Sequence, residues 1–173
     1  MSDTPSHLSH KREAPGNLSI GLITVSDTRT PQDDRSGALM LSMLEGSGHG
    51  IVGRRIVPDD PGAIKVAIME SLALEGCDAV LLSGGTGVGL RDRTAGVVED
   101  VCEKLIPGFG ELFRMLSYEE IGAAAMLSGA LAGTLGNQAI VAMPGSPGGV
   151  KLAMEKLVLP ELGHILREAR RRA

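Results

Sequence analysis

The sequence has no tryptophan, one tyrosine and two phenylalanines. Its core must therefore be built from Leu, Ile, Val, Ala and Met, the aliphatic filling of an α/β domain. Cysteine is nearly as scarce. Cys77 and Cys102 fit no close metal-ligand spacing and no disulfide framework, so two reduced, half-buried thiols are expected. No apolar run approaches the ~20 residues that span a bilayer, and residues 1–17 are polar without a hydrophobic segment of the secretory kind. These absences predict a cytoplasmic protein with no membrane partner. Positive charge is also in deficit: 17 Lys and Arg stand against 21 Asp and Glu, a net charge of −4. A nonspecific nucleic-acid binder needs a basic footprint, so no nucleic-acid partner is expected. The cluster Arg167, Arg170, Arg171 and Arg172 is the exception. It ends a predicted helix, where it complements the helix dipole and stays solvated.

What is present is glycine, 24 residues of it, and an apolar fraction of 43%. A chain of 173 residues buries about two-thirds of its unfolded surface without metals or disulfides. Residues 18–25 form a short apolar run ending at Ser26-Asp27, which suits a buried parallel strand. Residues 36–44 repeat apolar side chains at helical spacing, with Gly46 and Gly48 as stop signals. Strands follow at 51–57, 79–82 and 138–143. Helices are predicted from Asp60-Pro61 to Leu74, over 94–105, over 111–118, and from Ser146-Pro147 onward with a restart after Pro160. Asp60 and Ser146 are cap residues followed by proline at the first helical position. Residues 123–132 carry no clear pattern. This alternation predicts a doubly wound, mostly parallel sheet between two helical layers. A single domain over 18–173 is expected, preceded by a disordered polar tail at 1–17.

In such sheets ligands bind beyond the carboxyl ends of the strands, and four loops there have distinctive chemistry. They hold Ser26-Asp27-Thr28, Pro58-Asp59-Asp60, residues 83–92, and Pro144-Gly145-Ser146-Pro147. Ser83-Gly84-Gly85-Thr86-Gly87 has so little side-chain bulk that its backbone N–H groups can wrap an anion. It is neither the lysine-bearing phosphate loop nor the dinucleotide fingerprint. Asp60 has a capping task, whereas Asp59 has none, and Arg91-Asp92 closes the glycine-rich loop. Two carboxylates beside a phosphate cradle repel the ligand unless a cation lies between them. Magnesium held by Asp59 and Asp92 and shared with substrate phosphates is the expectation. The helix opened by Pro144-Gly145-Ser146 aims a second N-terminus at the same edge. His49 and His164 have no nucleophile near them in sequence, and the serine elbow of hydrolases is absent.

Taken together, Thr24-Val25-Ser26-Asp27, Ser83-Gly84-Gly85-Thr86-Gly87 with Arg91-Asp92, Pro107-Gly108-Phe109-Gly110-Glu111 and Met143-Pro144-Gly145-Ser146-Pro147 resemble the MoaB/Mog family of molybdenum cofactor biosynthesis. The resemblance spans about residues 18–165, and the stretch from Phe113 to Gly122 is most similar to the MoaB branch. It implies a three-layer αβα sandwich, assembled as a homotrimer or homohexamer, with Leu112, Met115 and Leu116 as candidate interface residues. It also implies Mg-ATP-dependent adenylylation of molybdopterin, or molybdopterin binding without turnover, and it allows contact with the molybdenum-insertion protein. A generic nucleotide-binding regulator is the reading outside the family. The resemblance carries Asp59 and Asp92 over as the magnesium-binding catalytic pair. Ser83, Gly84, Gly85, Thr86, Gly87 and Arg91 fall to the nucleotide, and Ser26, Asp27, Pro144, Gly145 and Ser146 to the remaining pocket. Two positions depart from the family pattern. Thr94-Ala95-Gly96 replaces Thr-Pro-Glu, and Ser128-Gly129 replaces Ser-Arg, which leaves Arg29 or Arg93 to stand in for the lost arginine.

Overall fold

Period-two alternation fixes the centre of the molecule. In β1 (Ser19–Val25), Ile20 and Leu22 face one side of the sheet while Ile23 and Val25 face the other. β3 (Ala79–Ser83) divides in the same way, with Ala79 and Leu81 opposed to Val80 and Leu82. Strands apolar on both faces need cover on both faces. α1 (Arg35–Gly46) supplies Met40 and Leu44 to the first side, and α2 (Pro61–Leu72) supplies Ile64 and Ile68 to the second. The computed structural model describes residues 16–171. The polar opening expected as a tail lies outside them, apart from Gly16 and Asn17.

The sheet has six strands in the order β2-β1-β3-β6-β5-β4. β1 runs parallel to both β2 (Gly50–Val57) and β3, and β3 runs parallel to β6 (Gln138–Met143). The order turns outward in both directions from β1 and β3, so the carboxyl ends of four parallel strands open on one edge. α3 (Thr94–Val101) joins α2 on one face. The other face carries α1, α4 (Pro107–Ile121), α5 (Pro147–Ala153) and α6 (Leu159–Arg170).

Three expectations need correction. The helix expected over 94–105 ends at Val101. Cys102 is extended, Glu103 N–H donates to Thr134 O at 2.9 Å, and Lys104–Leu105 becomes the edge strand β4. The unassigned stretch 123–132 holds a tight 3₁₀ segment, Gly122–Leu127, and the start of β5 (Leu131–Leu135), which runs antiparallel to β6. The two-residue turn Gly136-Asn137 makes this hairpin: Gly136 has φ +56°, the glycine position of a type II′ turn. The helix expected at 111–118 is the middle of α4, which starts at Pro107. After Pro147 the helical path continues into α6 through one wide π-type turn, Met154–Val158. The amide that Pro160 cannot donate falls where the hydrogen-bond ladder resets.

The expected caps are present. Asp60 accepts Ala63 N–H at 2.8 Å and Ser146 accepts Gly149 N–H at 3.2 Å. Arg170 is not merely solvated, because it pairs with Asp78 and ties α6 to the start of β3. Arg172 lies outside the described residues. Cys77 is buried and Cys102 half-buried, and burial pushes the Cys102 thiol up to about 11. No described helix is long and apolar enough to cross a membrane.

Candidate functional site

At the carboxyl edge β3 passes into Gly84 and Gly85, with φ +99° and +65°, backbone that a side chain would strain. Space excludes side chains as well. A Cβ on Gly84 would strike the Val25 carbonyl, and one on Gly85 would meet the Thr94 hydroxyl and lie 2.8 Å from Asp59 Oδ2. Gly84 N–H donates to Met143 O at 3.1 Å, and Gly85 O accepts Thr94 N–H at 2.9 Å. The loop is thus pinned to β1, β6 and α3 at once. Ser83 and Thr94 beside it are fully buried, yet Ser83 Oγ and Thr94 Oγ1 find no hydrogen-bond partner among the described residues. A buried unsatisfied hydroxyl costs about 1–3 kcal/mol, so two at one turn mark it as built for something other than stability.

The loop forms the floor of a cleft of about 650 Å³. Of the residues singled out from sequence, Ser26, Ser83, Gly84, Gly85, Thr86, Gly87, Asp92, Pro144, Gly145 and Ser146 all line it. Asp27 and Arg91 do not. They pair with each other across the rim, and Asp27 also accepts Asp59 N–H at 3.2 Å. Asp59 lies behind the loop rather than on the cleft wall. Its Oδ1 accepts Arg93 N–H at 3.1 Å, while Asp92 Oδ2 accepts Gly89 N–H at 2.8 Å. Both aspartates thus do have local tasks: Asp59 holds the end of the loop at Arg93, and Asp92 closes the turn from Gly89. The second oxygen of each accepts no hydrogen bond among the described residues. Burial pushes the Asp59 carboxyl up, against the Arg93 N–H, and the charges of Asp92 and Asp27 add to the rise. Among the described residues no three His, Cys, Asp or Glu side chains converge as a metal cluster.

Sequence reasoning missed Asp34. It is 2% exposed and sits at the cleft wall, capping α1 through Gly37 N–H at 2.8 Å. Its other oxygen accepts the Thr24 hydroxyl at 2.8 Å and the Arg54 guanidinium at 2.9 Å. Burial opposes its charge, but these three donors outweigh it and hold the carboxyl below the usual carboxylate range. Placing the helix start at Ser36 hid the signal, an aspartate at the cap position. Ser36, whose hydroxyl donates to Gly145 O at 2.7 Å, and Glu120 at the end of α4 were missed too.

Gly129 admits no side chain: its N–H donates to Thr86 O at 2.6 Å, and an added Cβ would lie 2.7 Å from that oxygen. Of the two arginines proposed as substitutes at this position, Arg29 lines the cleft, whereas Arg93 does not. Arg29 also lines a second, adjoining groove of about 630 Å³ along the outer edge of β2, with Asp27, Arg54 and Arg55.

Comparison with known proteins bears on this geometry. Residues 21–164 match the family model described as a probable molybdopterin binding domain. The chain is 50% identical over 163 residues to molybdenum cofactor biosynthesis protein B of Bacillus subtilis (strain 168), covering 94% of this chain and 96% of that one. A crystal structure of a molybdenum cofactor biosynthesis protein B superposes with a TM-score of 0.89 at 47% identity, over 92% of this chain and 100% of that one. The tungsten cofactor synthesizing protein MoaB from Pyrococcus furiosus superposes with a TM-score of 0.83 at 36% identity, over 91% of this chain and 100% of that one.

Proposed function

The chain belongs to the MoaB/Mog family of molybdenum cofactor biosynthesis proteins, and on that premise we propose that it adenylylates molybdopterin. The terminal phosphate of the pterin attacks the α-phosphate of Mg-ATP; a P–O bond forms to that phosphorus, the bond to the β-phosphate breaks, and pyrophosphate leaves. The observation that carries this reading is the pair of carboxylates pressed against the glycine loop. Asp59 Oδ2 lies 2.8 Å from where a Cβ would stand on Gly85, and from the same point on Gly87 the Asp92 oxygens lie at 2.6 Å (Oδ2, held by Gly89 N–H) and 3.6 Å (Oδ1, free among the described residues). Carboxylates against a phosphate cradle make electrostatic sense when a cation joins them to the ligand.

The donor set suits magnesium, because each aspartate keeps one free hard oxygen and the substrate phosphates complete the shell. When bound there, Mg²⁺ neutralises charge on the nucleotide phosphates. The remaining work falls to the chain. Backbone N–H groups of residues 85–87 bind and orient the phosphates, Ser83 and Thr94 offer hydroxyls that have no partner among the described residues, and the α5 N-terminus at Ser146 faces the same cleft. The attacking phosphate is already anionic near neutral pH, so alignment and charge neutralisation suffice and no general base is required. The same reading includes a cytoplasmic homotrimer, or a homohexamer made of two trimers.

Pure protein incubated with molybdopterin and Mg-ATP should release one pyrophosphate per adenylylated pterin. A second reading, molybdopterin binding without turnover, is favoured by two observations: both aspartates already hydrogen-bond the backbone, and Asp59 stands off the cleft wall. Tight pterin binding without pyrophosphate release would establish it and remove the first.

A further inference from the structure

The two adjoining cavities carry opposite charge. Among the described residues, the charged ones around the main cleft are Asp34, Asp92 and Glu120 against one cation, Arg29. Around the groove beside β2 they are Arg29, Arg54 and Arg55 against Asp27. We propose that this groove is a second ligand site, taking a metal-free phosphate ester carried on a flat ring, and that Arg29 joins it to the main cleft. An anionic cleft accepts a phosphate chain only with its cation, whereas a cationic groove accepts a bare phosphate.

Local structure fits this division. Ser26 Oγ accepts the N–H groups of Thr28 and Arg29 at 3.3 and 3.2 Å, and Asp33 accepts Thr30 N–H at 2.6 Å. The loop that presents Arg29 is therefore fixed by its own hydrogen bonds, while the guanidinium makes only a 3.5 Å contact with Asp33 O. Arg54 spends one nitrogen on Asp34 and Arg55 one on Glu70. Each guanidinium has five N–H donors in a fork suited to phosphate, so both keep capacity for a ligand. Ile56, Val57 and Pro58 add an apolar strip to the arginine wall, a combination that suits a flat body bearing a terminal anion. Among the described residues β2 pairs on one side only, and no other strand of the sheet closes the groove. Arg54 also links the two cavities, since its partner Asp34 lines the main cleft.

This inference gives the second phosphorylated reactant of the proposed reaction a place, and it rests on that reading only for the occupant's identity. The test is calorimetry on the full chain with 4-nitrophenyl phosphate in chelator, without nucleotide, while amide shifts are followed by NMR. Saturable binding that shifts Thr28, Thr30 and Val57 is expected. Arg29→Gln and Arg55→Gln should each weaken it roughly tenfold or more, as loss of a charge-assisted hydrogen bond does, while Asp92→Asn leaves it unchanged. Arg29 is exposed and Arg55 pairs only with the exposed Glu70, so neither replacement strands a buried charge, whereas replacing Arg54 would leave the buried Asp34 without its cation. Wild-type affinity in both arginine variants, or shifts confined to residues 84–87, would overturn the proposal. A chain that binds the ester in the groove but releases no pyrophosphate loses the adenylylation reading and keeps this one. Turnover together with unaltered Arg29→Gln and Arg55→Gln affinities loses this one alone.

Discussion

Asp59 is a carboxylate whose folded environment opposes its charge, so its role can be separated from stability. Its pKa is raised on folding, which means the native state holds the proton more tightly than the unfolded chain. Stability therefore falls as pH climbs from the unfolded value through the raised one, and at neutral pH the charge is a net cost. Asp59→Asn keeps an acceptor for Arg93 N–H and removes that cost. The melting temperature at pH 7 should hold or rise, and the gain should shrink in acid, while pyrophosphate release falls; a loss of both together would make Asp59 structural. Asp92→Asn should lower turnover by about a hundredfold or more, the several kcal/mol that a metal clamp or preorganised charge supplies, with molybdopterin affinity changed far less. Asp34 has the opposite sign. Its lowered pKa gives stability that is fully present above the unfolded value near 3.9 and is lost as pH falls through the folded one. Asp34→Ala strands Arg54 and uncaps α1, which should cost about 3 kcal/mol in urea unfolding at pH 7 and much less in strong acid.

Among the elements, those with a strong period or a cap were legible. β1, β2, β3 and β6 appear as apolar runs, and Asp60-Pro61 and Ser146-Pro147 mark helix starts with a mechanism. β4 was not legible, because its two residues are held only by the edge of β5, and two residues have no period. β5 was hidden because Leu-Ala-Gly-Thr-Leu carries little bulk, although Gly136-Asn137 stood there as a hairpin turn. At the site, the glycine loop and the cap-plus-proline loop could be read locally. The pairing of Asp27 with Arg91 and of Asp34 with Arg54 could not, since partners 64 and 20 residues apart are chosen by the fold. The hairpin reading has its own check. Gly136→Val forces a β-branched residue to φ +56° and should cost about 1–2 kcal/mol. Urea unfolding of the variant at wild-type stability would mean that the turn is not of this type.

At the scale of the molecule, α4 exposes an apolar stripe that does not belong to the core. Leu112, Met115, Tyr118 and Ile121 are 47%, 55%, 63% and 60% exposed at steps of three along the helix. Leu116, a third interface candidate from sequence, instead packs partly buried on the core. A contiguous exposed apolar stripe is usual where a partner covers it, and a trimer built on α4 is the expected assembly. Light scattering at micromolar concentration should give three times the chain mass, and Met115→Asp should lower it; a fully active monomer would dismiss the trimer.

The glycine turn with its two unsatisfied hydroxyls reaches beyond chemistry. A site that is costly to hold empty is relieved when its ligand arrives, and the filled protein then opens less often to proteases. The protein's half-life in the cell would lengthen when its ligand is plentiful and shorten when it runs out. Abundance would thus follow precursor supply with no dedicated regulator.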